Sequence, residues 1–184
     1  MNNKRNIQFL SAKEVRQIID AIPLDGLRNR RDRAILEVLF STGLRISELL
    51  SLKRSDLLKG SPRETLELSI IGKMQWQRTI YISPVALQAT LRYFAGRNDD
   101  NDLCFPIGIR QVQNMVKTRA RKAGLDKIIS PHGYRHSFAV NLLKQGVNIF
   151  YVKEYLGHRS LSSTQQYLHV SNSDLKKIHE KLYK

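Results

Sequence analysis

The sequence predicts an α+β fold that is mostly α-helical and contains one small antiparallel β-sheet. Apolar residues recur at helical spacing through most of the chain. Residues 66–82 instead alternate between apolar and polar, as strands do. Glycines and Ser-Pro pairs stand between the helical stretches, where caps and breaks belong. Because no Pro/Gly-rich linker divides the chain, one domain over residues 1–184 is expected.

The first part of the chain predicts three helices whose ends carry matching cap chemistry. Ser11 and Glu14 have the spacing of a capping box, which predicts a helix start. Pro23 helps to end that helix, and Gly43 is suited to the C-cap of the next one. The three helices are predicted over residues 11–22, Asn29–Ser41 and Ile46–Leu52.

The middle of the chain predicts a β-hairpin. Leu66, Leu68 and Ile70 alternate with polar residues, and Arg78–Ile82 shows the same alternation. The stretch from Gly72 to Gln77 joins the two strands as a turn, which places Lys73 near the tip. A lysine there would ordinarily be a solvent-exposed residue.

The second half predicts further helices separated by short breaks. Ser83 and Ser130 each precede a proline, which predicts a serine N-cap with proline at the first helical position. Residues 98–102 predict a loop, and Leu103–Phe105 a short third strand. The helices are predicted over residues 83–97, Ile109–Ala123, Pro131–Gln145, Ile149–Leu156, Ser162–His169 and Asp174–Tyr183.

Composition narrows the function classes. The chain has 184 residues, with 31 Lys+Arg against 16 Asp+Glu and a formal net charge of +15. Such a surplus of one sign favours a polyanionic partner, most commonly nucleic acid. A hydrophobic share of 41% is enough for a buried core, which excludes a disordered basic tail.

Other classes are excluded by what the sequence lacks. Cys104 is the single cysteine, which excludes an internal disulfide framework and a multi-cysteine zinc module. No apolar run approaches the ~20 residues that cross a bilayer, and the first residues do not resemble a signal peptide. A cytoplasmic, DNA-associated protein is therefore expected.

Basic residues cluster before one predicted helix and along another. Two interpretations remain open for each cluster: a solvated helix face, or a surface for phosphates. The clusters are Arg28, Arg30, Arg31 and Arg33, and Arg110, Lys117, Arg119, Arg121 and Lys122.

Three short strings carry candidate chemistry. Arg45 follows the helix-ending glycine, and Glu48 three residues later can hold it while its fork points outward. His132 and Arg135 share one face at a helix N-terminus, where anions are favoured. Leu156-Gly157-His158 is followed nine residues later by Tyr167. Each has a structural alternative: a helix ion pair for Arg45, and a half-buried core residue for Tyr167.

A metal site is a further alternative for the second string. His132 and His136 have the i, i+4 spacing of a metal pair. However, Gly133 stands where the zincin glutamate would be, and the string offers no cysteine or glutamate-rich partner. No metal and no other cofactor are expected.

The order of these residues resembles the catalytic domain of tyrosine site-specific recombinases, close to Xer-type and phage-integrase-type members. The resemblance covers nearly all of residues 9–184. Its three boxes are Arg31–Leu39 leading into Gly43-Leu44-Arg45, then Ser130-Pro131-His132 with Arg135-His136, and then Leu156-Gly157-His158 with Tyr167 and His169.

The resemblance implies a catalytic set with divided roles. Tyr167 would attack a DNA phosphorus and form a 3′-phosphotyrosyl link, with His132 as candidate general base. Lys73 would protonate the leaving 5′-oxygen. The remaining implied roles are stabilisation of the transition state by Arg45, Arg135 and His158, and orientation of Arg45 by Glu48.

The resemblance also implies partners. They are double-stranded DNA, a homotetramer on synapsed DNA that passes through a Holliday junction, and possible accessory DNA-bending proteins. In that family the segment after the nucleophile docks onto a neighbouring protomer. Here the last predicted helix carries an apolar stripe that could instead pack on its own domain, at Leu175, Ile178 and Leu182.

The sequence departs from most family members at its start. Only about eight residues precede the first predicted helix, so no N-terminal core-binding domain is expected. The chain is then either short by nature, like the fimbrial-switch invertases, or a shortened form of a longer enzyme. Two other functions stay open: relaxation of DNA like a type IB topoisomerase, and regulation by a non-catalytic DNA-binding module.

Overall fold

The structure is a computed structural model that describes residues 9–72, 77–127, 129–158 and 160. Over this part of the chain it confirms the prediction of a mostly helical α+β fold. The predicted helices at 162–169 and 174–183 lie outside the described residues. The elements are α1 (Ala12–Asp20), α2 (Leu27–Thr42), α3 (Ile46–Ser51), α4 (Arg54–Leu57), β1 (Leu66–Ile71), β2 (Gln77–Ile82), α5 (Pro84–Phe94), α6 (Ile109–Lys122), α7 (Pro131–Lys144) and α8 (Ile149–Leu156).

The predicted helix caps are confirmed. Ser11 caps α1 in a capping box with Glu14, whose carboxylate accepts a hydrogen bond from the Ser11 backbone N–H at 2.8 Å. Ser83 and Ser130 cap α5 and α7, each followed by a proline in the first turn. These ends are determined by neighbours within three residues, which is why the sequence predicts them.

Two features of the helices differ from the prediction. Helix α5 ends at Phe94 rather than Arg97. The short helix α4, absent from the prediction, is held by a residue far along the chain: Asp102 accepts hydrogen bonds from the Ser55 N–H at 3.0 Å and from the Ser55 hydroxyl at 3.1 Å. A cap supplied from Asp102 leaves no signal within the helix itself.

Strands β1 and β2 form the predicted antiparallel hairpin, with Leu66 opposite Ile82 and Ile71 opposite Gln77. Ile70, Arg78, Ile80 and Ile82 are buried. The alternation therefore assigns one face of the hairpin to the core.

The predicted third strand at Leu103–Phe105 is wrong. In the described residues, Leu103 makes only one isolated bridge, to Lys53. The physical reason is Arg97, whose Nη1 donates to the carbonyls of Leu103 at 2.7 Å and Cys104 at 3.2 Å. A side chain thus satisfies carbonyls that a neighbouring strand would otherwise pair.

Helix α2 lies at the centre of the core and packs against α5, α7 and β2. Five of its apolar side chains are fully buried: Ala34, Ile35, Leu36, Val38 and Leu39. Burial of a large apolar side chain contributes roughly 1.5–3 kcal/mol to stability. A smaller cluster joins α7 to α8 through Phe138, Val152 and Leu156. The end of α8 lies beside the start of α3, where Arg45 Nη2 donates to the Gly157 carbonyl at 3.1 Å. None of the described helices is long and apolar enough to cross a membrane.

Candidate active site

The site begins where α2 ends. Gly43 has a φ of +60°, and its N–H closes α2 on the Leu39 carbonyl at 2.9 Å. The following Arg45 is extended and becomes the N-cap residue of α3. The left-handed glycine therefore turns the chain so that Arg45 leaves the helix at the surface.

Arg45 is held by Glu48, as the sequence predicts. Its Nη1 donates to Glu48 Oε1 and its backbone N–H donates to Glu48 Oε2, both at 2.8 Å. Its Nη2 donates to the Gly157 carbonyl at 3.1 Å. The Arg45 side chain remains 36% exposed, so part of the guanidinium is available to a ligand.

Arg78 is a member of the site that the sequence analysis missed. Its Nη1 and Nη2 donate to Glu48 Oε1 and Oε2 at 2.9 and 2.8 Å, while its Nε donates to the Tyr155 carbonyl at 3.0 Å. A signal was present, because Arg78 occupies an inward position of a strand whose other inward residues are isoleucines. A charge at such a position predicts a buried partner.

Glu48 is consequently a buried carboxylate with four hydrogen-bond donors. Burial alone would raise its pKa, but hydrogen bonds from Arg78 and Arg45 outweigh burial and lower the pKa to about 2. Glu48 is therefore ionised throughout the neutral pH range.

Arg135 lies on the first turns of α7 and is buried. Its Nη1 donates to the Gly43 carbonyl at 2.7 Å, and its Nη2 donates to the Leu156 carbonyl. Arg135 thus connects the end of α2 with the end of α8.

The end of α8 gathers the three arginines. Gly157, with a φ of +65°, caps this helix. The carbonyls of three successive residues accept hydrogen bonds from three guanidiniums: Tyr155 from Arg78, Leu156 from Arg135 and Gly157 from Arg45. Since a helix C-terminus carries partial negative charge, cations are favoured there. His158 follows directly, so it is placed within the same group.

The two site histidines have lowered pKa values. Partial burial is the largest cause for His158, and the positive charges of Arg135 and Arg45 act in the same direction. Together they lower the pKa of His158 to about 4. The same causes in the same order lower the pKa of His132, although this residue is exposed. Both imidazoles are therefore mainly neutral at pH 7. A neutral imidazole can accept a proton, which a general base requires.

The structure thus brings together five of the predicted residues: Arg45, Glu48, His132, Arg135 and His158. Tyr167 and Lys73 lie outside the described residues. Ile71 and Gln77 are paired across the hairpin, and Lys73 is one of the five residues between them in the sequence.

His136 does not share the exposure of His132. It is 3% exposed and packs against Phe9, with 6.1 Å between the ring centroids. Across the described ranges, no three histidine, cysteine, aspartate or glutamate side chains are grouped as they would be to hold a metal ion.

The predicted basic clusters are divided by the fold. Arg119 is buried, and its guanidinium contacts Asp32 at 2.7 Å and Asn29 at 2.6 Å, so for this residue both interpretations, a solvated helix face and a surface for phosphates, are wrong. Asp32 also pairs with Arg31 at 2.8 Å. The exposed basic residues of α6 are Arg110, Lys117, Arg121 and Lys122.

The chain is similar to known proteins along most of its length. The family model "Phage integrase family" matches residues 8–174. Tyrosine recombinase XerC of Leptospira interrogans is 37% identical over 162 residues, covering 83% of this chain and 51% of the relative. Tyrosine recombinase XerC of Staphylococcus saprophyticus is 35% identical over 184 residues, covering 93% and 60%. The chain therefore spans about half the length of the first of these relatives.

Solved structures share the fold. A crystal structure of XerA recombinase superposes with a TM-score of 0.76 at 28% identity, over 95% of this chain and 62% of that one. XerH site-specific recombinase, bound to its palindromic difH substrate in a post-cleavage complex, also gives a TM-score of 0.76, at 22% identity over 96% and 54%.

Proposed function

The chain belongs to the phage integrase family, and from that premise we propose that it cleaves and rejoins double-stranded DNA through a covalent 3′-phosphotyrosine during site-specific recombination. One observation carries the proposal most: Arg45 and Arg135 are anchored on the successive carbonyls of Gly157 and Leu156, directly before His158. In this proposal, Arg45, Arg135 and His158 donate hydrogen bonds to one phosphate.

The anchoring suits transition-state stabilisation. In attack on a phosphodiester, negative charge develops on the non-bridging oxygens. Arg45 and Arg135 are already held by the protein, so little reorganisation is needed when they donate to those oxygens. Loss of one such donor is expected to slow cleavage roughly 10²–10³-fold.

The proposed reaction keeps the bond energy of the phosphodiester. The Tyr167 phenol oxygen attacks phosphorus, the P–O5′ bond breaks, and the DNA 3′-phosphate becomes esterified to tyrosine. His132 accepts the phenol proton, and Lys73 donates a proton to the leaving 5′-oxygen. In rejoining, a 5′-hydroxyl attacks the phosphotyrosine and releases Tyr167. A phenol has a pKa of about 10, so removal of its proton during attack is required at pH 7.

The exposed cations of α6 support a role in holding the duplex. Arg110, Lys117, Arg121 and Lys122 are solvent-exposed and can neutralise phosphates without breaking a buried ion pair. Each neutralised phosphate contributes about −0.9 to the slope of log affinity against log salt.

A suicide substrate tests the central claim. A duplex nicked near the scissile phosphate loses its short 5′-hydroxyl fragment after cleavage, so the covalent intermediate accumulates. A protein–DNA adduct is expected on denaturing gels in the presence of EDTA, and Tyr167→Phe is expected to abolish it. Absence of the adduct from the unaltered chain on cognate DNA would contradict the proposed function.

We also propose that residues 1–184 act as one catalytic domain and that strand exchange takes place in a homotetramer on synapsed DNA. The curated relatives are named recombinases, which favours strand exchange over relaxation. Recombinant junctions from two-site substrates are expected. Relaxation of plasmids without junctions would contradict the assignment, and native gels with crosslinking would count the protomers.

A further inference from the structure

We infer that Arg78 is a positioning residue that prevents Glu48 from neutralising Arg45, so that Arg45 keeps its positive charge for the scissile phosphate. The inference rests on the proposed function. It concerns a residue that makes its contacts inside the protein.

The charge balance supports it. Glu48 carries one negative charge and lies between two guanidiniums. Arg78 donates to both carboxylate oxygens through Nη1 and Nη2, and Arg45 donates to them through Nη1 and its backbone N–H. The group of Arg45, Glu48 and Arg78 therefore has a net charge of +1. Without Arg78, the carboxylate would face Arg45 alone and the net charge would be zero. Because Coulomb energy scales with charge, the potential at a nearby phosphate would fall.

The contacts of Arg78 assign it a role inside the protein. Its side chain is 6% exposed, its Nη1 and Nη2 both donate to the Glu48 carboxylate, and its Nε donates to the Tyr155 carbonyl. Arg45, in contrast, is 36% exposed. The two arginines therefore have separate tasks: Arg78 compensates the carboxylate from inside, and Arg45 faces the solvent.

The position of Arg78 is also tightly determined. A Cβ placed on Gly157 would lie 3.2 Å from Arg78 Cδ and 3.3 Å from Nη1. The guanidinium thus fills the space left by the glycine that caps α8, while its Nε holds the Tyr155 carbonyl. This packing keeps both guanidinium nitrogens aligned with Glu48 in the bidentate geometry that suits arginine.

A charge-selective substrate tests the inference. Cleavage rates are measured on an ordinary phosphodiester and on a duplex with a neutral methylphosphonate at the scissile position. Arg78→Met is expected to slow phosphodiester cleavage about 100-fold. Its effect on the methylphosphonate should be at least tenfold smaller, since less anionic charge requires stabilisation. A defect in folding alone would slow both reactions equally.

A double variant supplies the second test. Removing the carboxylate together with its counter-ion, in Arg78→Met with Glu48→Gln, is expected to restore cleavage at least tenfold relative to Arg78→Met. Arg78→Lys, which keeps the charge, should preserve the wild-type ratio between the two substrates even if Arg78→Met does not fold. Arg92→Met, an exposed arginine on α5, is the matched control and should leave both rates unchanged.

The outcomes separate the two claims. Equal defects on both substrates, or no recovery in the double variant, would overturn the role of Arg78 while leaving Tyr167-dependent cleavage intact. Absence of any adduct from the unaltered chain would instead overturn the proposed function, and this inference with it.

Discussion

Gly43 and Phe138 are packed so closely that a Cβ on Gly43 would lie 2.5 Å from Phe138 Cδ1. The Gly43 carbonyl accepts a hydrogen bond from Arg135, and the chain continues from Gly43 to Arg45 within two residues. The Gly43–Phe138 contact therefore lies two residues from Arg45 and at one of the two carbonyls that hold Arg135.

Gly43→Ala is expected to destabilise the protein by roughly 3 kcal/mol, from a left-handed residue and a collision with an aromatic ring. Gly124→Ala is the matched control, because Gly124 also has a positive φ, of +75°, but apart from its chain neighbours none of the described residues has an atom within 4 Å of the added Cβ. The control should lose only about 1 kcal/mol. Urea unfolding measures both, and equal losses would show that the Phe138 contact does not matter.

Arg135→Lys is expected to slow formation of the covalent adduct roughly 10²–10³-fold while DNA affinity changes little. A lysine ammonium cannot present the planar fork that contacts the Gly43 and Leu156 carbonyls together. Arg92→Lys, at an exposed position of α5, is the control and should keep the wild-type rate. A rate within threefold of wild type for Arg135→Lys would argue against its role.

Lys73→Ala is expected to slow cleavage of ordinary DNA, because the leaving 5′-oxygen would lack its proton donor. A substrate with sulfur at the 5′-bridging position should be cleaved at nearly the wild-type rate, since a thiolate leaves without protonation. Suicide-substrate assays on both duplexes compare the rates. Equal defects would refute the general-acid role.

Stability is expected to fall as the pH decreases from about 6.5 to 4. Burial, followed by the charge of His132, lowers the pKa of His136 to about 4, whereas an unfolded histidine titrates near 6.5. Between these two pH values the unfolded state binds more protons than the folded state. The stabilisation by neutral His136 is therefore complete above pH 6.5 and lost below pH 4, and the total loss of stability is roughly 3 kcal/mol.

Urea unfolding from pH 8 to 4 measures this slope, and His136→Gln should reduce it by close to one proton. Glu48 acts in a lower window, because its pKa is lowered from 4.5 to about 2 and its contribution is lost as the pH falls through that range. An unchanged slope in His136→Gln would show that another group titrates.

Arg97→Leu is expected to destabilise the protein by about 3 kcal/mol. Arg97 is buried, and its guanidinium donates to the carbonyls of Asn101, Leu103 and Cys104 and to the Asp99 carboxylate. Removal would leave those carbonyls without donors. Arg92→Leu, at an exposed position of α5, is the control with an expected change within 0.5 kcal/mol. Equal losses would contradict the role of Arg97 in holding the loop.

Sequence patterns succeeded where the determining neighbours are close along the chain. The capping box at Ser11, the Ser-Pro helix starts and the alternation of the hairpin all act over two to four residues. The Arg45–Glu48 pair is of the same kind, with its partners three positions apart. Prediction failed at Leu103, whose carbonyl is satisfied by a side chain rather than a strand.

The sequence alone determined the net charge of +15, the fold class and the order of Arg45, Lys73, His132, Arg135, His158 and Tyr167, because composition and local spacing are properties of the chain itself. Only the tertiary structure decided how that charge is used. It buried Arg119 on Asp32 and Arg78 on Glu48, contacts that join residues 87 and 30 positions apart. Partners at such distances are chosen by packing and by the need to compensate buried charge, and neither is visible in local spacing.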